Sequence, residues 1–461
     1  MKKHIALALI TALLNVPISA EPSMPSGPAA GQTQAASAFA YERHVLDNGL
    51  TVLLYKDSSM PLVAVNIWYK IGSKNESPGK TGFAHLFEHY MFECTKHIEE
   101  GQYFKTIFKD LGGTTNATTS YDRTDYFAVV PSNGLDEILR LESSRMGYLQ
   151  ECLREDLLNK ERDIVKNEKR MRESRPYGKL FGELMGGTFS QGHPYHWPVI
   201  GYMKDLEAAT VQDVKDFHST YYLPNNAVMV VAGDIEPAAA LDRVKFWFEE
   251  IKKGPTPPAL NAPKVASLGG RREGSFEDAK AQLPMLIMSF PIPGAGEPGN
   301  SEMSVVAQVL GDGRTSRLEK ALKDGPQPMA LDIGASVVGL HENDVFYITA
   351  IPTPGVTLAQ LEAKINAEIA AIARDGVTPR EMDRIKAGME FSVLNELQNV
   401  ENVAMQMVEG EALAGDPELF LSKSLEELNN MKPDAVKAAA QKFLVPENTA
   451  VLHALPKRRT P

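Results

Sequence analysis

The sequence is poor in several things, and each shortage closes off a class of explanation. Its 461 residues include only two cysteines, Cys94 and Cys152. At most one internal disulfide is available, and the plainer reading is a pair of buried free thiols. Basic charge is short: 48 Lys and Arg stand against 59 Asp and Glu, a formal net charge of −11. That argues against a general nucleic-acid surface, which needs clustered cations to neutralise phosphates. No arginine precedes Arg43, which disfavours an Arg-rich mitochondrial presequence and twin-arginine export. The apolar run near the start is too short to span a bilayer, so no membrane span is expected. Neither cysteine lies near residue 20, so a lipid anchor is not expected either.

What is present fits an exported globular protein. Lys2 and Lys3, the apolar run Ile5 to Leu14 and the small-residue site Ile18-Ser19-Ala20 have the layout of a signal peptide over residues 1–20. The mature chain then starts near Glu21, with a bacterial periplasm as its simplest home. Residues 21–40, rich in Pro, Ser, Gly and Ala, read as a flexible lead-in. The remaining length suits two domains of roughly 200 residues. A second Pro/Gly-rich stretch, residues 253–270 with Gly254-Pro255-Thr256-Pro257-Pro258, reads as the linker between domains at 41–252 and 271–461.

Periodicity predicts strands at Leu50 to Tyr55 and Leu62 to Tyr69, and a helix near Gly82 to Phe92. A hairpin of Thr114 to Ser120 and Thr124 to Val130 follows, then helices from Leu135 to Met171 and a strand at Asn226 to Ala232. The second half repeats the order: a strand at Gln282 to Phe290, helices at Ser301 to Leu310 and Arg317 to Lys323, a strand at Asp344 to Ile351, and an amphipathic helix at Leu358 to Arg374. The expected fold class is α+β: two homologous domains, each an antiparallel sheet with helices packed on one face.

The chemistry centres on His85-Leu86-Phe87-Glu88-His89. On a helix, side chains at i and i+4 share a face, so both imidazoles reach one ion. A hydrolytic zinc site takes three protein ligands and keeps a position for water, whose proton the carboxylate of Glu88 would accept. This is the inverse order of the commoner H-E-x-x-H. Two such histidines also fit a solvated face or a satisfied core pair. For a third ligand, Glu161 and Glu168 share a helical stripe but lie about 10.5 Å apart along the axis, so only one of them can bind the ion directly. The alternative is a charged, solvated face paired with Lys160, Arg162 and Lys169. His44, His97, His193 and His196 lack a partner at ligand spacing and read as surface or packing residues.

Together with Gly82 to His89, the stretch Gly112-Gly113-Thr114-Thr115-Asn116-Ala117-Thr118-Thr119, the Glu161/Glu168 pair, His193-Pro194-Tyr195, Gly201, Tyr222 with Pro224, and Val231 to Asp234 resemble the insulinase/pitrilysin family of zinc peptidases. Size and layout are similar to the short bacterial members, of the mitochondrial processing peptidase type. The resemblance implies a zinc endopeptidase acting on unstructured peptides, with one zinc per chain held by His85, His89 and Glu168, and with Glu161 orienting a ligand. It implies that Asn116, Ala117 and Thr118 lie on an edge strand that pairs with the peptide substrate. It also implies that the chain is half of a clamshell.

Two departures matter. Glu93-Cys94-Thr95 stands where the family commonly has Lys-Gly-Thr. After Ser316-Arg317-Leu318, the positions where the family carries an Arg and a Tyr that contact substrate hold Lys323 and Ala330, and Pro326 and Pro328 argue against a helix-to-strand passage there. The expected partner is therefore a homologous subunit that lacks the zinc motif and supplies the Arg/Tyr pair. The rival readings are a non-catalytic scaffold or peptide-binding subunit of the same fold, and an exported metal-storage or solute-binding protein.

Overall fold

In the computed structural model, which describes residues 40–260 and 262–457, the most apolar strands become the centres of two sheets. The expected signal peptide and nearly all of the expected lead-in lie outside the described residues. In the first half the order is β1 (Tyr41–Val45), β2 (Thr51–Lys56), β3 (Leu62–Tyr69), α1 (Phe83–Tyr90), β4 (Thr114–Thr119), β5 (Thr124–Pro131), α2 (Leu135–Tyr148), α3 (Glu155–Glu173), α4 (Leu180–Thr188), α5 (Val211–Tyr221), β6 (Ala227–Gly233) and α6 (Pro237–Phe248). The second half continues with β7 (Arg272–Asp278), β8 (Met285–Pro293), α7 (Asn300–Gly311), α8 (Arg317–Leu322), β9 (Ala330–Val338), β10 (Asn343–Pro352), α9 (Leu358–Asp375), α10 (Pro379–Glu396), α11 (Val400–Ala414), α12 (Pro433–Phe443) and β11 (Ala450–Pro456).

The sheets run β1-β2-β6-β3-β5-β4 and β7-β11-β8-β10-β9. Apart from β1, each strand of the first has a counterpart at the same place in the second, so the internal duplication is visible in the topology. Pairing is antiparallel except for one parallel neighbour in each sheet, β2 with β6 and β7 with β11. Edge strand β7, with its exposed Glu273 and Glu277, shows no clean alternation and escaped the sequence reading.

Helices cover one face of each sheet, as expected. Leu54, Val65, Ile67, Met229 and Val231 pack under α1, α2, α3, α5 and α6, and the second sheet is covered likewise by α7, α9, α10 and α12. The other faces are covered by exchange between the halves. Val403, Ala404, Met407 and Val408 of α11 seal Leu53, Ala64, Trp68 and Val230 of the first sheet. Leu184 and Met185 of α4 seal Met285, Ile287 and Val345 of the second. A fully buried strand such as β6 needs both layers.

Residues 253–260 and 262–270 carry no regular helix, and backbone amides of Gly254, Val265 and Leu268 are held by Asn225, Asn343 and Asn448. Two expectations are corrected. The passage from α8 to β9 does form, closed by the Met329 N–H on the Leu322 carbonyl, 2.8 Å, with Pro326 and Pro328 in the turn, where no ladder N–H is needed. And Cys94 and Cys152 are not free thiols: they are bonded to each other, with Cα atoms 5.9 Å apart.

Candidate metal centre

Helix α1 starts at Gly82, whose φ of +85° suits glycine. A Cβ there would come within 2.7 Å of the Ile200 carbonyl, and one at Gly201 would come within 2.5 Å of Gly82 itself. The two glycines let the turn before α1 sit tightly against residues 200–206, where Thr81 Oγ1 donates to Asp205 at 2.7 Å. The buried carboxylate of Glu76 accepts from the Gly82 and Ala84 amides at 2.9 and 2.8 Å, satisfying first-turn N–H groups that have no partner inside the helix.

Among the described residues, one group of His, Cys, Asp and Glu side chains brings ligand atoms within 4.8 Å of one another: His85, Glu88 and His89. The two imidazole centroids are 4.9 Å apart. Glu168 Oε2 approaches both rings, 3.7 Å from His85 Nε2 and 3.5 Å from His89 Nε2. Zinc bonds of about 2.0–2.1 Å in a tetrahedron put ligand atoms about 3.4 Å apart, so this donor set fits zinc in spacing and in chemistry.

Glu161 lies elsewhere. Its Oε2 is 3.4 Å from Nδ1 of His89, the ring nitrogen that faces away from Glu168, and its side chain is 4% exposed. Neighbouring cations are occupied otherwise: Lys160 pairs with Glu93 and Glu100, Lys169 with Glu173, and Arg162 donates to the Leu206 and Ala209 carbonyls. The solvated-face alternative therefore does not describe Glu161. Lys160 also neutralises the charge that Glu93 adds.

The carboxylates and imidazoles of the site shift one another. Burial works against a charged His89, yet Glu161 and Glu168 outweigh it and lift this imidazole to about 10. His85, buried and beside His89, is pushed down to about 3. Burial raises Glu88 to about 7, against the pull of His89 and of a hydrogen bond from Thr119. Thr119 was not anticipated as part of the site; its hydroxyl stands at the end of β4, and no local pattern shows that α1 lies beneath it.

Among the described residues, strand β4 is at the edge of its sheet and pairs only with β5. Asn116 is exposed, Ala117 buried and Thr118 intermediate. The Ala117 amide donates to Asn116 Oδ1 at 2.9 Å, a local solution suited to an unpaired edge. The other histidines are accounted for: His193 and His196 meet the Pro263 and Phe189 carbonyls, His44 meets Glu42, and His97 packs on Tyr148. In the second half, Arg317 forks onto Glu381, Lys323 pairs with Glu319, and Ala330 is buried in the core.

The insulinase model (peptidase family M16) matches residues 51–199, and the model of the M16 inactive domain matches residues 208–389. Zinc protease PqqE of Helicobacter pylori is 31% identical over 370 residues, covering 79% of this chain and 82% of that protein. A solved protease from Helicobacter pylori superposes with a TM-score of 0.83 at 28% identity, over 90% of this chain and 99% of that one. The periplasmic protease PqqL from Escherichia coli shares the fold, with a TM-score of 0.74 at 18% identity, and this chain covers 47% of it.

Proposed function

Because the chain belongs to the insulinase family, peptidase family M16, we propose that it is a zinc-dependent endopeptidase acting on unstructured peptides. The observation that carries this is the approach of one Glu168 oxygen to both Nε2 atoms, with the buried Glu88 in the same cluster. His85, His89 and Glu168 hold one zinc per chain, and Glu161 fixes His89 through Nδ1. Zinc bound there supplies Lewis-acid polarisation of the scissile carbonyl and a lowered pKa for water. Glu88 takes the water's proton on its carboxylate and returns it to the leaving nitrogen. Asn116, Ala117 and Thr118 align the substrate backbone along β4.

The second half offers no Arg/Tyr pair at the positions of Lys323 and Ala330. We infer a homologous partner subunit that brings this pair to the reacting carbonyl. The match to about half of PqqL supports a clamshell of two such chains. The site of action is the bacterial periplasm, following the signal-peptide reading.

A scaffold reading draws on the inactive-domain match over residues 208–389. Peptide cleavage by the zinc-loaded chain, alone and with its partner, separates the two. Cleavage that needs the partner, and that falls at least about 100-fold in Glu88→Gln with zinc retained, supports the enzyme. Undiminished cleavage by Glu88→Gln removes Glu88 from its role. Zinc and peptide binding without cleavage under any condition establishes the scaffold.

A further inference from the structure

The side chains of the proposed metal centre come from two segments far apart in the chain, His85 and His89 on α1, and Glu168 with the orienting Glu161 on α3. The Cys94–Cys152 disulfide joins these two segments across a sequence separation of 58 residues. Cys94 lies four residues beyond α1, and Cys152 three residues before α3. Both cysteines are buried.

The two segments also share one apolar core, with Leu86 and Phe87 buried beside Leu157, Leu158 and Val165, and the remaining links at the junction are polar. The Tyr90 hydroxyl accepts from the Arg154 amide at 2.9 Å and donates to the Cys152 carbonyl at 3.2 Å. The Arg154 guanidinium sits 3.5 and 3.7 Å from the two sulfurs. Lys160 bridges Glu93 and Glu100, but Lys160 and Glu100 are nearly half exposed, where ion pairs hold weakly. At its other end α1 is anchored through Glu76 and through Thr81 on Asp205, neither of which belongs to α3. The spacing of imidazoles to carboxylates thus depends on that shared core and on the junction around residues 90–94 and 152–160, and the disulfide is the covalent member of the junction.

We propose that the Cys94–Cys152 disulfide is a positioning brace for the metal centre, so that the chain holds zinc tightly only once the pair is oxidised. This rests on the zinc reading above and adds a condition to it. Formation is thiol–disulfide exchange: the two cysteine thiols and one disulfide donor give the protein disulfide and two donor thiols, the two electrons and two protons passing to the donor. A chain still in a reducing compartment has a loose site, and oxidation after export tightens it. Tyr90 and the ion pairs remain in the reduced chain, so the expected effect is weakening rather than abolition.

The test compares zinc affinity, by competition with a chromogenic chelator, in three preparations of the full chain: oxidised wild type, wild type kept reduced, and Cys94→Ala/Cys152→Ala. Alkylation in denaturant followed by intact mass reads the thiol state, and far-UV circular dichroism reads the fold. The expected result is no free thiol in the oxidised protein. Reduced wild type and the double variant should bind zinc about 10-fold more weakly and release it faster, with unchanged dichroism and no further response of the variant to reductant. Equal zinc affinity in oxidised and reduced wild type overturns the proposal. So does alkylation of both cysteines in protein prepared under oxidising conditions. If the double variant fails to fold, the two wild-type preparations decide. Oxidised wild type that binds no zinc refutes the metal centre itself, and the brace with it.

Discussion

Thr119, the last residue of edge strand β4, donates its hydroxyl to Oε2 of Glu88 on α1. The strand proposed to hold substrate and the carboxylate proposed to move its proton are therefore joined by one hydrogen bond. Thr119→Val should lower kcat about 10- to 100-fold, the range for losing a hydrogen bond to a charged group. Zinc content should not change, and Thr119→Ser should restore most of the rate. Steady-state kinetics beside metal analysis checks this; a Val variant with wild-type kcat refutes it.

The two glutamates of α3 should behave differently. Glu168 faces both Nε2 atoms, whereas of the imidazole nitrogens Glu161 meets Nδ1 of His89. Glu161→Gln should weaken zinc binding by about 10- to 100-fold, as loss of an orienting partner does. Glu168→Gln should weaken it considerably more, because two protein ligands rarely hold zinc tightly. Chelator competition on both variants ranks them, and the reverse order would exchange their roles.

Pairing of substrate with β4 is testable on the substrate side. If backbone hydrogen bonds align the peptide, methylating alternate amide nitrogens that face the strand should raise KM by about 3- to 10-fold per bond lost. Methylating the intervening amides should have little effect. A KM indifferent to the register of methylation would show that β4 is an ordinary edge.

Arg317 and Glu381 give a pH-dependent prediction away from the site. Burial works to raise the Glu381 carboxyl, but the fork from Arg317, with bonds of 2.7 and 2.8 Å, and the Thr378 cap hold it at about 2, below the usual 4.5. A depressed folded value stabilises the protein above pH 4.5, and that stability is lost as pH falls from there toward 2. Glu381→Gln should cost about 1–3 kcal/mol at pH 7. The difference from wild type should shrink toward zero near pH 2, as read by denaturant melts at several pH values. A gap that persists unchanged at low pH would show that packing, not charge, is responsible.

Much of this protein was legible from short-range pattern. Two histidines four apart and a carboxylate beside them share a face because a helix turns every 3.6 residues, and that holds wherever the helix packs. The apolar runs of β3, β6 and β8 announced buried strands for the same local reason, and the repeated order of elements announced the duplication. Contacts between distant segments were not legible. Only the folded chain decides that Glu168 rather than Glu161 meets both imidazoles, since the two share one stripe of α3 and differ only in where α1 crosses it. The same holds for Thr119 above Glu88, for the bond between Cys94 and Cys152, and for the exchange of α4 and α11 between the two sheets. Residues tens of positions apart meet only after loops close and cores pack, and the energy that chooses their partners is spread over many side chains rather than written at either one.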